Sequence, residues 1–88
     1  MAAFPVDRAD ELRAERALLL KADDDIAEGR TRLRNQQDLL AELRAHGHDT
    51  GQAEHLVVLL EQTLTEWERH RTLIEQRVVY LERRLSAD

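Results

Sequence analysis

The fold is decided at residues 44–54, which read RAHGHDTGQAE. Signals that end one helix and start another are crowded into this stretch. Gly47 can take the left-handed conformation that closes a helix. Asp49 or Thr50 can cap the next helix, and Gln52 can reach back to the chain if Asp49 is the cap. Because a connection this short makes the flanking segments antiparallel neighbours, it predicts a helical hairpin.

Before this turn, a large aliphatic residue recurs at every seventh position. The row consists of Leu12, Leu19, Ile26, Leu33 and Leu40. This period keeps one stripe of a helix against a neighbouring helix over many turns. A second row of the same stripe lies three residues after each of these positions. Its side chains are mostly small or polar and include Gly29 and Gln36. Since a mid-helix glycine costs about 1 kcal/mol relative to alanine, Gly29 is expected to make room for a side chain of the opposite helix.

After the turn, apolar residues alternate at spacings of three and four. The row consists of Val57, Leu60, Leu64, Trp67, Arg71, Ile74, Val78, Leu81 and Leu85. This alternation predicts a second amphipathic helix. Arg71 interrupts the stripe, as Gln36 does on the first helix. Polar residues at single positions of such a seam commonly fix register and partner number at some cost in stability.

The predicted fold class is therefore all-α, a long antiparallel two-helix hairpin of coiled-coil type that forms a single domain over residues 1–88. The first helix is expected at about 7–46, the turn at 47–50 and the second helix at about 50–86, each rod being about 55 Å long. Facing residues should have numbers that total about 97. On that register Gly29 falls near Trp67.

The hairpin carries more apolar residues than one seam can bury. Residues 56–60 are consecutively apolar and point around most of the helix. The predicted interface residues outside the seam are Leu18, Leu39, Leu56, Leu59, Leu73 and Tyr80. Chains this short rarely gain enough stability from one core. A second copy, giving a homodimeric four-helix bundle, is the simplest cover, and a different protein is the alternative.

Charge and composition limit the other partners. The net charge of −5 argues against a nucleic-acid partner, and no apolar run is long enough to suggest a membrane partner. The chain lacks cysteine, which is compatible with a cytoplasmic location. A further cluster of arginines, at positions 30, 32 and 34, could touch phosphate, but it has no interleaved aromatic residues.

The turn also carries a cluster of potential metal ligands, which consists of His46, His48, Asp49 and His55. Imidazole and carboxylate groups bind zinc or nickel. Their spacing fits no closed zinc site, so a solvated polar turn is the preferred interpretation, and no metal, cofactor or catalytic residue is predicted. No nucleophile elbow, phosphate-binding glycine loop or carboxylate pair is present.

Residues 22–71 resemble uncharacterised small helical-hairpin proteins common in alphaproteobacteria. The shared pattern is Ile-Ala-Glu-Gly at 26–29, Gly-His-Asp-Thr at 47–50, Leu-Glu-x-Thr-Leu at 60–64 and His-Arg at 70–71. Members often have a histidine where this chain has Asp25. Because that group has no assigned activity, the resemblance implies relatives and a compartment but no mechanism.

From the residues we expect a non-enzymatic protein–protein interaction module, a small self-associating adaptor or regulator. The alternative is a metal-responsive or nucleic-acid-associated regulator that uses the histidine-rich turn or the arginine cluster.

Overall fold

The computed structural model describes residues 7–87, which form two helices, α1 (Arg8–Ala45) and α2 (Gly51–Ser86). The helices pack against each other as an antiparallel hairpin, which confirms the predicted all-α two-helix hairpin. Each boundary lies within one residue of the predicted one. Asp7 caps α1, since its Oδ1 accepts a hydrogen bond from the backbone N–H of Ala9 at 2.9 Å.

The end of α1 depends on Gly47, which has a φ of 69°. Its N–H donates to the carbonyl of Arg44 at 3.2 Å, and the N–H of His48 donates to the carbonyl of Leu43 at 2.9 Å. This pair of bonds satisfies two carbonyl groups that the helix end leaves open. A side chain at position 47 would be strained in this backbone conformation.

Helix α2 begins after Thr50, one of the two predicted caps. The Thr50 hydroxyl donates to Oε1 of Glu54 at 2.9 Å and does not itself cap the helix. Instead, Oδ1 of Asp49 accepts from the backbone N–H of Gly51 at 3.0 Å. Thr50 thus occupies the position before the helix, the Asp49 side chain accepts from the first backbone N–H of α2, and the Thr50 hydroxyl is bound by Glu54.

The seam between the helices contains two buried clusters. Leu12, Val78 and Leu81 form the cluster near the chain termini. Leu40, Ala53 and Val57 form the cluster near the turn. The central part of the seam is buried at Ile26, Gly29, Leu64 and Ile74. Every residue of the two predicted apolar rows is thus buried or half-buried, apart from Trp67, which is 38% exposed.

Gly29 occupies the closest approach in this central part. A Cβ atom on Gly29 would lie 2.8 Å from Cδ2 of Leu64 and 3.2 Å from Cζ3 of Trp67. The absent side chain thus leaves room for two side chains of α2, of which Leu64 is the nearer. The half-buried Gln36 lies two turns farther along α1.

Candidate interaction surface

One side of the seam is closed by ion pairs between the helices, and we call this side the ionic flank. Its interhelical pairs are Arg16–Glu82, Arg30–Glu68 and Arg44–Glu54, with N–O distances of 3.5, 2.9 and 3.1 Å, and Asp23–Arg71. In the first three pairs the residue numbers total 98. The helices therefore keep one register along their whole length, one residue from the predicted register.

The seam residue Arg71 turns its guanidinium toward the ionic flank. Its Nε donates to Asp23 of α1, and its Nη1 donates to Oε2 of Glu75 at 2.7 Å. These two hydrogen bonds, to Asp23 first and to Glu75 second, raise the pKa of Arg71. Arg71, which interrupts the apolar stripe, thus binds one carboxylate on each helix.

The ionic flank covers its edge of the seam with charged side chains, and three exposed apolar residues, Leu20, Val58 and Val79, lie one helical turn outside it. Its side chains remain a third to almost two thirds exposed, so solvent screens each pair and its contribution to stability is small. Their structural effect is to cover one edge of the seam with long, charged side chains and to set the register. A protein that docks on this side would have to desolvate charges that already have partners.

The opposite side of the seam is different, and we call it the apolar flank. It carries the six predicted interface residues, and each of them is between 42% and 58% exposed: Leu18, Leu39, Leu56, Leu59, Leu73 and Tyr80. Seven-residue spacing places Leu18 and Leu39 on one stripe of α1 and Leu59, Leu73 and Tyr80 on one stripe of α2. The exposed apolar residues thus form two clusters, one near the turn and one near the termini.

A groove of about 220 Å³ lies next to the cluster near the termini. Its lining is apolar at Leu18, Ala22, Trp67 and Ile74 and polar at Lys21, Asp25 and His70. At one edge, Nζ of Lys21 donates to Oδ2 of Asp25 at 2.8 Å, and this hydrogen bond raises the pKa of Lys21. The groove is open and shallow, which suits a side chain of a partner better than an enclosed small molecule.

Sequence reasoning did not identify this groove or the ionic flank. The ionic flank does have a sequence signal, because a glutamate occurs at every seventh position of α2 from Glu54 to Glu82. The partners on α1 are arginines at three positions and an aspartate at the fourth. They are therefore hard to recognise unless the register of the two helices is known. The groove has no comparable signal, since it arises where the Trp67 ring crosses the gap beside Gly29.

The four candidate metal ligands at the turn do not converge. Within residues 7–87, no group of three or more His, Cys, Asp or Glu side chains is arranged to hold a metal ion. The rings of His46 and His48 are stacked with centroids 6.3 Å apart. Nδ1 of His46 donates to the carbonyl of Glu42 at 2.8 Å, and Asp49 is engaged by the start of α2. His46 and Asp49 thus form hydrogen bonds with the backbone at the ends of the two helices.

The arginine cluster does not make a single basic face. Arg30 is paired with Glu68 on the ionic flank. A step of two residues turns the helix by about 200°, so Arg32 lies on the other side of α1. This arrangement does not favour a continuous contact with a phosphate backbone.

No known protein family, curated protein or solved structure matches this chain. The resemblance to small alphaproteobacterial hairpin proteins therefore stays a prediction. Across residues 7–87, neither helix combines the length and apolar character needed to span a membrane.

Proposed function

We propose that the protein is a non-enzymatic interaction module that self-associates through its apolar flank. Two hairpins would form a dimeric four-helix bundle that acts as a small adaptor or regulator in the cytoplasm. The observation that carries the proposal is the difference between the two sides of the seam. Charges with partners cover one side, whereas the other exposes six large apolar side chains.

Energetics support a cover on this flank. A half-exposed leucine gains about 1 kcal/mol when a partner buries the rest of its side chain. Each copy offers five leucines and Tyr80 on one side, and a symmetric dimer buries both sets. Residues 7–87 form two helices and provide no third layer to cover them. Six of the ten exposed large hydrophobic side chains of residues 7–87 lie on the apolar flank, and this grouping favours a specific interface there.

Sedimentation velocity on two variants tests the proposal. Leu59→Lys combined with Leu73→Lys places charges on the apolar flank at residues that are already exposed, so the monomer should keep its helical circular dichroism. Leu20→Lys is the matched control, because Leu20 is 68% exposed but lies outside the apolar flank. We expect the control to sediment as a dimer and the double variant as a monomer.

Two results would overturn the proposal. One is a double variant that sediments as the control does. The other is an unmodified protein that is already monomeric, which would leave the apolar flank without the second copy.

A further inference from the structure

We propose that the second copy docks with its turn at the opposite end from the first, so that α1 of each hairpin lies antiparallel against α1 of its partner. This inference rests on the proposed function and adds the orientation of the two copies. It is carried by one row of α1 residues that is complementary to itself when the row is reversed.

The row lies on the apolar flank next to the seam and repeats at seven-residue spacing. From the termini toward the turn it consists of Glu11, Leu18, Asp25, Arg32, Leu39 and His46. An antiparallel copy of the same row can be placed so that the numbers of facing residues total 57. The facing pairs are then Glu11–His46, Leu18–Leu39 and Asp25–Arg32. Each pair occurs twice about a two-fold axis, so each acidic residue of the row faces a basic one and each leucine faces a leucine.

The side chains of this row are placed to make such contacts. Leu18 and Leu39 are 49% and 44% exposed. Asp25 accepts from Lys21 through Oδ2, and its Oδ1 can accept from a guanidinium group of the second copy. Arg32 is exposed and forms no ion pair within residues 7–87. A second copy in this orientation supplies the carboxylate that Arg32 lacks.

The outer row of α2 provides an apolar pair at the same register. The ion pairs of the ionic flank hold the helices of each hairpin at numbers that total 98, so an α1 total of 57 sets an α2 total of 139. Leu59 and Tyr80 have this total, and they therefore face each other at a register chosen from α1 alone. Leu73 faces Glu66 at the same register. The Glu66 carboxylate lies 3.5 Å from Arg69 and the Glu66 side chain is 65% exposed, which leaves its charge at the solvent-exposed edge of the interface.

The inner row of α2 also meets its own copy. Its facing pairs are Leu56–Arg84, Thr63–Arg77 and His70 with the second His70. The guanidinium groups of Arg77 and Arg84 lie 5.3 and 5.9 Å from the centroid of the Tyr80 ring. Their charges are therefore held over a ring of their own helix, and their aliphatic stems face the second copy. On α1 the two copies of Glu28 meet near the two-fold axis, where Arg32 of each copy lies one helical turn away.

The arrangement with both turns at one end sets α1 against the partner's α2. At the register of the ion pairs, its matched pairs are Leu18–Tyr80, Arg32–Glu66 and Leu39–Leu59. Between them, however, Arg77 faces Lys21 and Leu73 faces Asp25. Like charges that face each other weaken an interface, and a leucine provides no hydrogen bond for a covered carboxylate. With turns at opposite ends Asp25 instead faces Arg32, so the residue order favours that arrangement.

Charge exchange between Asp25 and Arg32 tests the orientation. Residues seven apart lie two turns from each other along one helix, about 10 Å, so a contact between them has to join two copies. Asp25→Arg and Arg32→Asp should each raise the dissociation constant by about tenfold, because like charges then face each other twice in the dimer. The double variant, Asp25→Arg with Arg32→Asp, restores both pairs and should return to within about threefold of the unmodified protein.

Sedimentation equilibrium measures the dissociation constants, and circular dichroism shows that each variant keeps its helices. Asp24→Arg is the matched control, because it makes the same charge change on an exposed neighbour that faces away from the apolar flank. Its dissociation constant should stay within about threefold of the value for the unmodified protein.

A double variant that associates as weakly as the single variants would overturn the orientation, since the arrangement with both turns at one end sets Arg32 against Glu66 and gains nothing from the exchange. Single variants that match the Asp24→Arg control would overturn it as well. In both cases a dimer remains and the proposed function stands. An unmodified protein that stays monomeric would instead remove the proposed function, and the orientation would fail with it.

Discussion

Gly29 and Trp67 face each other across the middle of the hairpin, where a Cβ on the glycine would be 3.2 Å from Cζ3 of the indole and still closer to Leu64. This gap positions the Trp67 ring beside the groove on the apolar flank. A residue that has no side chain thus shapes the surface that we propose for dimerisation.

Replacing Gly29 with leucine should lower the melting temperature by about 5–15 °C, since overpacking typically costs 1–3 kcal/mol. Gly29→Ala is the matched control. The terminal methyl group of Leu64 has to move and the Trp67 ring has to shift by a few tenths of an ångström, and the higher helix propensity of alanine offsets this cost by about 1 kcal/mol. Thermal unfolding followed by circular dichroism measures both. A leucine variant as stable as the wild type would show that the glycine is not required for the close approach.

Arg71→Leu should raise the melting temperature by about 4–8 °C. Leucine completes the apolar stripe, and the carboxylates of Asp23 and Glu75 are about half exposed and can be solvated. We also expect the variant to populate more than one association state, because the matched charge that fixes the register is lost. Arg69→Leu, on the exposed surface, should not produce this rise. A less stable Arg71→Leu variant would mean that the ion pairs outweigh the apolar gain.

Acid should remove part of the stability that Glu54 contributes. Hydrogen bonds from Thr50 and then Arg44 lower the pKa of Glu54 below its ordinary value of 4.5. The ionised form is therefore favoured in the folded state, so its contribution is complete above pH 4.5 and is lost as the pH falls through the lowered pKa. Between about pH 6 and 3, Glu54→Gln should lose less stability than the wild type. Glu61→Gln, which occupies the same stripe, should behave like the wild type, and equal losses in all three proteins would contradict this role.

Zinc should leave both the melting temperature and the sedimentation coefficient unchanged. The histidines of the turn do not converge within one chain, and a ligand stabilises a protein only when it binds the folded state. A zinc-dependent rise in melting temperature that disappears in His48→Ala would instead support a metal-responsive regulator.

The sequence predicts the hairpin well because its signals are local and repeated. Gly47 supplies the left-handed residue at the end of α1, and the seven-residue rows identify the seam from Leu12 to Leu81. The surplus of leucines likewise predicts the exposed residues of the apolar flank. Each of these inferences depends on spacing within one helix.

Features that depend on contact between the helices could not be predicted in the same way. The pairing of Asp23 with Arg71 requires the register to be known to within one residue. The exposure of Trp67 depends on how far its ring extends past Gly29 on the other helix. The spacing of apolar residues along one helix does not contain this information. The sequence therefore predicts which residues form the surface better than it predicts their contacts.

Sedimentation equilibrium of the unmodified protein over a series of concentrations tests the central claim most directly. Self-association through the apolar flank predicts a mass of about 20 kDa, twice the 10.2 kDa of one chain, with dissociation on dilution. A mass of 10.2 kDa at every concentration, together with a fully helical circular dichroism spectrum, would contradict the claim, because the hairpin would then be stable with its apolar flank uncovered.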